Sequence, residues 1–584
     1  MNATRLLAVF FAFMNSTYGT NRLACILLTI RLSFISPNCI NFIILMLSSK
    51  ACHPYTAPMT NHVYTAIPSG ISADFITVES DTNRGLPCFN IVGMASKSIA
   101  ESRDRIRSAI NNSGFSFPGS QKLIINLAPA SLNKSGAALD LPIALAVLAV
   151  SQQLLQQDLD QRMFVGELAL DGSLRPVKGI INLVECATAN HIKQLYIPAA
   201  NARQAALLAT PNLQIYPIQH LRELWQLLKS QVHISPLKQN VKITQKDKHE
   251  HYLDAIKDQP LAKRALTIAV AGRHNLLITG PPGVGKTMLA RTIPDLLPPM
   301  HLAECIEVTK LHSLTQPITH IISQRPFRAP HHSASIKSIL GGGIQAEPGE
   351  VTLAHRGVLY LDEFAEFPRE ILEALRQPLE DRQISLSRIG HKVTYPADIM
   401  LVATMNPCPC GYKNSPNQRC TCSAAQLARY TKKLSGPLLD RIDITIPIFA
   451  LSKSVLLNST TISTTEHKTA KLQIQRALNK QFNRYHNPTI TNASLNSSAI
   501  TKYLKLTPAA KSLLLAAAER YHLSARAYYK VIKVAQTIAD LADDIPASGT
   551  DDTSGTDINA NSSTTPAITK AHIAEALQYR NPFR

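Results

Sequence analysis

The pattern of apolar and polar positions divides the chain into stretches of different period. Ser72–Glu79, Cys88–Val92 and Lys122–Leu127 alternate and are rich in β-branched residues, which predicts half-buried strands. Between them, Ser96–Ser113 has the period of an amphipathic helix, with Arg103, Arg105 and Arg107 expected on its polar side. Leu139–Leu154 reads as a long apolar helix, Met163–Leu170 as a strand and Gly179–Ala189 as a further helix, with a turn at Asp171-Gly172. These elements predict an α+β domain over residues 59–228. Residues 229–250 are polar and Lys-rich, as a linker is. An α/β block with parallel-type strands follows over 251–450, then a mainly helical segment over 451–584. Within that segment, 544–566 (DIPASGTDDTSGTDINANSSTTP) is low in complexity and predicts a disordered loop.

At 584 residues the chain exceeds what one core can organise, so several domains are expected. A 45% apolar content excludes a disordered or collagen-like chain. The formal net charge of +20 suits a polyanionic partner, nucleic acid ahead of an acidic membrane. Residues 1–58 hold no acidic residue but do hold Arg5, Arg22, Arg31 and Lys50. Their apolar run Leu6–Met14 has the length of a signal-peptide core, whereas Leu32–Ser49 is broken by Pro37, Asn38 and Asn41 and makes a poor spanning helix. Two readings stand: a targeting or anchoring segment, or a non-native extension ahead of a true start at Met59. The ATP requirement argued next favours the second, and with it a cytoplasmic protein with no membrane partner.

Gly280-Pro281-Pro282-Gly283-Val284-Gly285-Lys286-Thr287 follows an apolar strand (Asn275–Thr279) and opens a helix (Met288–Ile293), the setting of a phosphate-binding loop. Glycines let successive N–H groups turn toward phosphate oxygens at a helix N-terminus. Lys286 is expected to reach the β- and γ-phosphates, and Thr287 to hold Mg²⁺ through its hydroxyl. A second apolar strand, Gly357–Leu361, ends in Asp362 and Glu363, candidates for organising Mg²⁺ and for polarising the attacking water. A third, Ile399–Thr404, leads to Asn406, whose side chain can orient that water. Cys408-x-Cys410 and Cys420-x-Cys422 form a tight cluster in a Cys-poor chain. They are candidate ligands of a structural Zn²⁺, although their spacing departs from the common C-x₂-C knuckle and a reduced, metal-free cluster is the alternative.

Together with PFRAPHHSAS (Pro326–Ser335), PGEVTLAHRGVLYLDEF (Pro348–Phe364), MNPCPCGY (Met405–Tyr412) and LSGPLLDRIDI (Leu434–Ile444), these motifs closely resemble the magnesium-chelatase-like AAA+ ATPases of the bacterial YifB/ComM group. GLPCFNIVG (Gly85–Gly93), NLAPASLNKSGAALDLPIAL (Asn126–Leu145) and GELALDGSLRPVKG (Gly166–Gly179) extend the resemblance from about Met59 to the end. The resemblance implies an α/β fold class: a ribosomal-S5-like α+β N-terminal domain, an AAA+ P-loop core with a parallel sheet, and a helical C-terminal lid. It also implies a homo-hexameric ring, Arg441 as the finger that completes a neighbour's site, and Arg526 as the sensor on the lid. ComM-type members move on branched or single-stranded DNA during natural transformation, which implies DNA and recombination proteins as partners. In related helicases a hairpin before the third strand faces the pore. Here residues 382–395 read as that hairpin, with Arg388, His391 and Lys392 as DNA-contact candidates and an ordinary exposed basic turn as the alternative. The S5-like domain also resembles Lon-type proteases, but Ala138 and Ile181 stand where nucleophile and base would be. Ser135 and Lys178 are out of register and read as surface residues, so no protease is expected. Two further readings remain open: a motor subunit for metal insertion into a tetrapyrrole, and an ATP-switched recombination scaffold.

Overall fold

Alternation over Asn61–Ser69 (β1) and Ser72–Asn83 (β2) builds an antiparallel pair in register from Asn61↔Ser80 to Ser69↔Ser72. In the computed structural model the described residues are 61–83, 85–93, 97–130, 137–238, 253–318, 320–343, 346–388, 391–413, 418–449, 465–542 and 566–580. The expectations for residues 1–58, for 239–250 of the linker, for Ser135 and for 544–565 therefore fall outside them. With Cys88–Val92 (β3), Lys122–Ala128 (β4), Arg162–Phe164 (β5), Gln194–Pro198 (β6) and Gln214–Ile218 (β7), the pair forms a seven-stranded mixed sheet of order β3-β4-β2-β1-β5-β6-β7. One group of buried residues joins Ile106 and Ile110 of helix Lys97–Asn112 (α1) and Leu141, Leu145 and Leu148 of Asp140–Val150 (α2) to Ile76, Val78 and Ile125. A second joins Ile180, Leu183 and Val184 of Ile180–Ala189 (α3) to Met163, Leu195 and Ile215.

Three local expectations are corrected here. Helix α2 stops at Val150, because Ser151 caps it and Gln152 turns to a φ of 59°. The run 163–170 is not one strand: Arg162–Phe164 stays in the large sheet, and Glu167–Leu168 pairs with Leu174–Arg175 in a separate hairpin. Arg105 does not point to solvent with Arg103 and Arg107. It grips the buried Asp140 through Nε (2.7 Å) and Nη2 (3.0 Å), supplying the counter-charge that a buried carboxylate requires.

The second sheet is fully parallel. Leu276–Thr279 (β8), Phe327–Arg328 (β9), Val358–Leu361 (β10), Met400–Met405 (β13) and Ile444–Pro447 (β14) lie in the order β9-β10-β13-β8-β14, with β10, β13 and β8 buried throughout. Hairpin strands Gln383–Arg388 (β11) and His391–Pro396 (β12) precede β13. Asn275, just before β8, rivets β8 to its two neighbours, β13 and β14, at their start. Its Nδ2 donates to Arg441 O (2.9 Å), its Oδ1 accepts from Leu401 N (2.9 Å), and its own N–H donates to Asp443 Oδ2 (2.9 Å). Helices Pro260–Gly272 (α4) and Lys286–Leu296 (α5) cover the sheet. The C-terminal helices Thr465–Tyr485 (α6), Ala525–Leu541 (α7) and Lys570–Gln578 (α8) continue the same core, which runs unbroken from Ile278 and Leu266 to Ile474, Val531 and Ile573.

The lead into β13 is held electrostatically. Asp398 faces three guanidiniums, with Oδ2 3.1 Å from Arg273 and 3.0 Å from Arg356, and Oδ1 3.2 Å from Arg382. Burial raises its pKa, but the three arginines overcome burial and hold it at about 2. Asp398→Asn would leave Arg273 and Arg382 without their anion, while Arg356 keeps Glu307 (3.0 Å), at a cost of roughly 3–5 kcal/mol. Because the folded pKa lies below the unfolded value of about 4, this stability is complete above pH 4 and is lost as pH falls through about 2. Thermal unfolding of wild type and variant across that range checks both the loss at neutral pH and the flatter acid limb of the variant.

Candidate functional site

All parallel strands deliver their ends to one edge of a sheet, the place where such sheets bind ligands. From β8 the chain enters Gly280–Gly285, whose three glycines serve different needs. A Cβ on Gly280 would stand 2.6 Å from Ile448 O and 2.7 Å from Ile448 Cγ1, so this glycine lets the loop pass against the continuation of β14. Gly283 and Gly285 adopt φ of 78° and 92°, and a Cβ on either would meet nothing within 4 Å. The space they face is open, as a phosphate cradle must be. Gly285 is the N-cap of α5, so the positive end of that helix points into the loop.

Lys286 Nζ donates to Gly280 O (2.7 Å), Pro281 O (2.8 Å) and Asn406 Oδ1 (2.9 Å). Burial lowers its pKa, and Asp362 and Glu363 oppose that shift. At the end of β10, Asp362 accepts from Thr287 Oγ1 (3.3 Å) and from Thr404 Oγ1 (2.5 Å). Tyr360 OH stands 3.4 Å from Thr287 Oγ1 and 3.3 Å from Thr404 Oγ1. Glu363 is exposed, at a φ of 51°, with His332 Nδ1 3.5 Å from its carboxylate. The structure thus brings Lys286, Thr287, Asp362, Glu363 and Asn406 to one place. It adds His332, Tyr360 and Thr404, which sequence reasoning did not single out. A phosphate fits: Lys286 is satisfied by neutral acceptors that an anion can replace. Mg²⁺ fits too, since hydroxyl and carboxylate oxygens converge at Asp362.

Arg441 and Arg526 lie together elsewhere. Arg441 donates to Arg376 O (2.9 Å) and Pro437 O (2.7 Å), and both guanidiniums pair with the single carboxylate of Glu380. Among the described residues neither pairs with Lys286, Thr287, Asp362 or Glu363. Strands β11 and β12 form the expected hairpin, with Arg388↔His391 as the last pair and Lys392 beside it, so all three stand at its tip. Their side chains lie outside the described residues.

Cys408, Cys410, Cys420 and Cys422 also converge, their four sulfurs lying within 4.8 Å of one another. Backbone N–H groups of Tyr412 and Thr421 hold the Cys410 thiol down at about 5. In the N-terminal domain, Ile181 is fully buried in the core, and Lys178 is exposed 4.0 Å from Glu347. Among the described residues no helix is long and apolar enough to cross a membrane.

Three family profiles match the chain: magnesium chelatase, subunit ChlI, over 252–456; subunit ChlI of Mg-chelatase over 78–201; and magnesium chelatase, subunit ChlI C-terminal, over 464–549. The competence protein ComM of Haemophilus influenzae is 40% identical over 534 residues, covering 89% of this chain and 97% of that protein. The uncharacterized protein YifB of Escherichia coli is 39% identical over 520 residues, 89% of this chain and 96% of its own. A magnesium-chelatase 67 kDa subunit of Heliobacterium mobile is 30% identical over 186 residues, 26% of this chain and 28% of that subunit.

The glycines give a prediction that needs no ligand. Gly280→Ala forces a Cβ into backbone and lowers the unfolding temperature sharply. Gly283→Ala costs only about 1–2 kcal/mol of left-handed strain, because its Cβ has room. Thermal unfolding of the two variants without nucleotide checks the contrast, and equal losses would contradict it.

Proposed function

Because this chain belongs to the magnesium-chelatase-like AAA+ ATPases of the YifB/ComM group, we propose that it hydrolyses ATP at the loop 280–287 and spends that energy moving along DNA. The observation that carries the ATPase reading is the convergence of Lys286, Asn406, Thr287 and Asp362 around a glycine loop that faces open space. Backbone N–H groups of 283–287 and the Lys286 amine would receive the phosphates, the amine leaving its carbonyl acceptors to do so. Thr287 and Asp362 would hold Mg²⁺, which when bound neutralises charge on the β- and γ-phosphate oxygens. Glu363 would take the proton of the attacking water, with His332 as its neighbour, and Asn406 would orient that water. Arg441 would complete a neighbouring subunit's site in a hexameric ring, and Arg526, which shares Glu380 with it, would serve as the sensor on the lid.

For DNA, the support is the net charge of +20, the basic tip of the β11–β12 hairpin, and the 97% coverage of a relative named for competence. Grip on a phosphate backbone needs charge and no base-reading motif. In this reading the protein is a cytoplasmic branch-migration motor working with recombination proteins. A second reading, a motor for metal insertion, rests on the likeness to the Heliobacterium mobile chelatase subunit over 26% of the chain. ATPase activity stimulated by forked DNA, and salt-sensitive binding to that DNA, favours the first reading. Turnover indifferent to DNA sinks it.

Lys286→Ala is expected to abolish nucleotide binding at millimolar concentration in an equilibrium binding assay. Glu363→Gln is expected to keep ATP bound while slowing turnover about 10²–10⁴-fold. Replacing Arg388 and Lys392 by Ala is expected to lower the salt slope of DNA binding by about one per cation, with basal ATPase activity unchanged.

A further inference from the structure

We infer that Cys408, Cys410, Cys420 and Cys422 hold one Zn²⁺, and that this metal sets the nucleotide affinity of the 280–287 loop through Asn406 and Pro282. The second half rests on the nucleotide reading above. The sulfur geometry speaks for the metal. Cys408 Sγ lies 3.3 Å from Cys410 Sγ and 3.7 Å from Cys420 Sγ, and Cys410 Sγ lies 3.5 Å from Cys420 Sγ. A tetrahedral zinc–tetrathiolate with bonds of about 2.3 Å has edges of about 3.8 Å. All four cysteines are free. Backbone N–H groups also point at sulfur, Cys410 N to Cys422 Sγ (3.4 Å) and Lys413 N to Cys408 Sγ (3.3 Å), where they stabilise thiolates. The described residues 418–423 form no helix or strand and none of them is buried, so no apolar packing holds Cys420 and Cys422 against Cys408 and Cys410. Zn²⁺ would displace the thiol protons and close that gap.

Two contacts tie this turn to the nucleotide loop. Gly411 N–H donates to Cys408 O (2.9 Å), and Gly411, at a φ of 86°, packs so closely that an added Cβ would stand 2.7 Å from Pro282 Cδ. Asn406, two residues before Cys408, accepts from Lys286 Nζ (2.9 Å). Its backbone oxygen accepts from Tyr430 OH (3.0 Å), which fixes it from the far side of the turn. The metal thus backs Pro282 and positions the residue that holds Lys286. It does not touch the nucleotide. Without it, Asn406 loses one of its two restraints and Pro282 loses its support.

The test uses the full chain. Elemental analysis is expected to find one zinc per chain, and reloading the stripped protein with Co²⁺ to give the thiolate-to-metal charge-transfer band of an S₄ site. Binding of a fluorescent ATP analogue is expected to weaken about tenfold on stripping and to recover with Zn²⁺ alone. Gly411→Ala is expected to keep its zinc and weaken nucleotide binding similarly. In Asn406→Ala, stripping is expected to weaken binding less than in wild type, because only the Pro282 route remains, and an equal or larger loss overturns the route through Asn406. A chain that takes up no zinc, or whose cysteines are found oxidised to disulfides, overturns the metal. Zinc-loaded Gly411→Ala with unchanged nucleotide affinity overturns the link, even if the stripped wild type proves too unfolded to assay. Zinc-loaded wild type that binds no nucleotide overturns the ATP reading and the link together, while the zinc count still decides the metal.

Discussion

Parallel pairing is the constraint on which this site depends. Strands that all run one way finish on one edge, so groups from residues 279–287, 361–363 and 405–406 meet although up to 120 positions separate Lys286 from Asn406. No loop has to travel to bring them together. Each strand of the buried centre is mainly apolar along its length and becomes polar at, next to or just beyond its last residue: Thr279, Asp362, Thr404, Asn406. Apolar bodies pay the entropy of ordering, and the polar ends are left where the sheet no longer excludes water.

That design explains what was legible in the sequence. A phosphate loop, an acid pair after an apolar run and two C-x-C pairs are local patterns, and local patterns survive in one dimension. The alternating and helical periods located α1, α3, β2 and β4 to within a few residues for the same reason. Contacts between distant segments left weaker marks. Asp140 opens an apolar helix, yet nothing in the pattern pointed to Arg105, thirty-five positions away, as its partner. His332 sat inside a recognised motif, but its approach to Glu363 depends on β9 lying beside β10. β6 was missed because a strand buried along almost its whole length loses the alternation that betrays a strand.

The C-terminal helices show a related limit. Composition marked 451–584 as a separate helical stretch, whereas packing joins α6, α7 and α8 to α4 and the sheet in one continuous apolar body. Buried polar groups stitch the C-terminal helices to one another: Arg484 pairs with Asp540, and Asn492 donates to Thr537 Oγ1 (3.0 Å) and Asp540 Oδ2 (2.9 Å). Lys530 of α7 reaches Asp443 at the start of β14 (2.6 Å). A movement of these helices is therefore felt at the base of the strands, next to the segment that carries Arg441.

Asn275 turns this arrangement into a ruler. With one residue fixing the starting points of β8, β13 and β14, the height at which each strand surrenders its terminal group is counted in residues from that common zero. One inserted residue would displace a terminus by about 3.3 Å, more than any hydrogen bond can stretch. The number of residues in each of these strands is thus as much a chemical specification as the identity of Lys286, although those residues are packed in the apolar core.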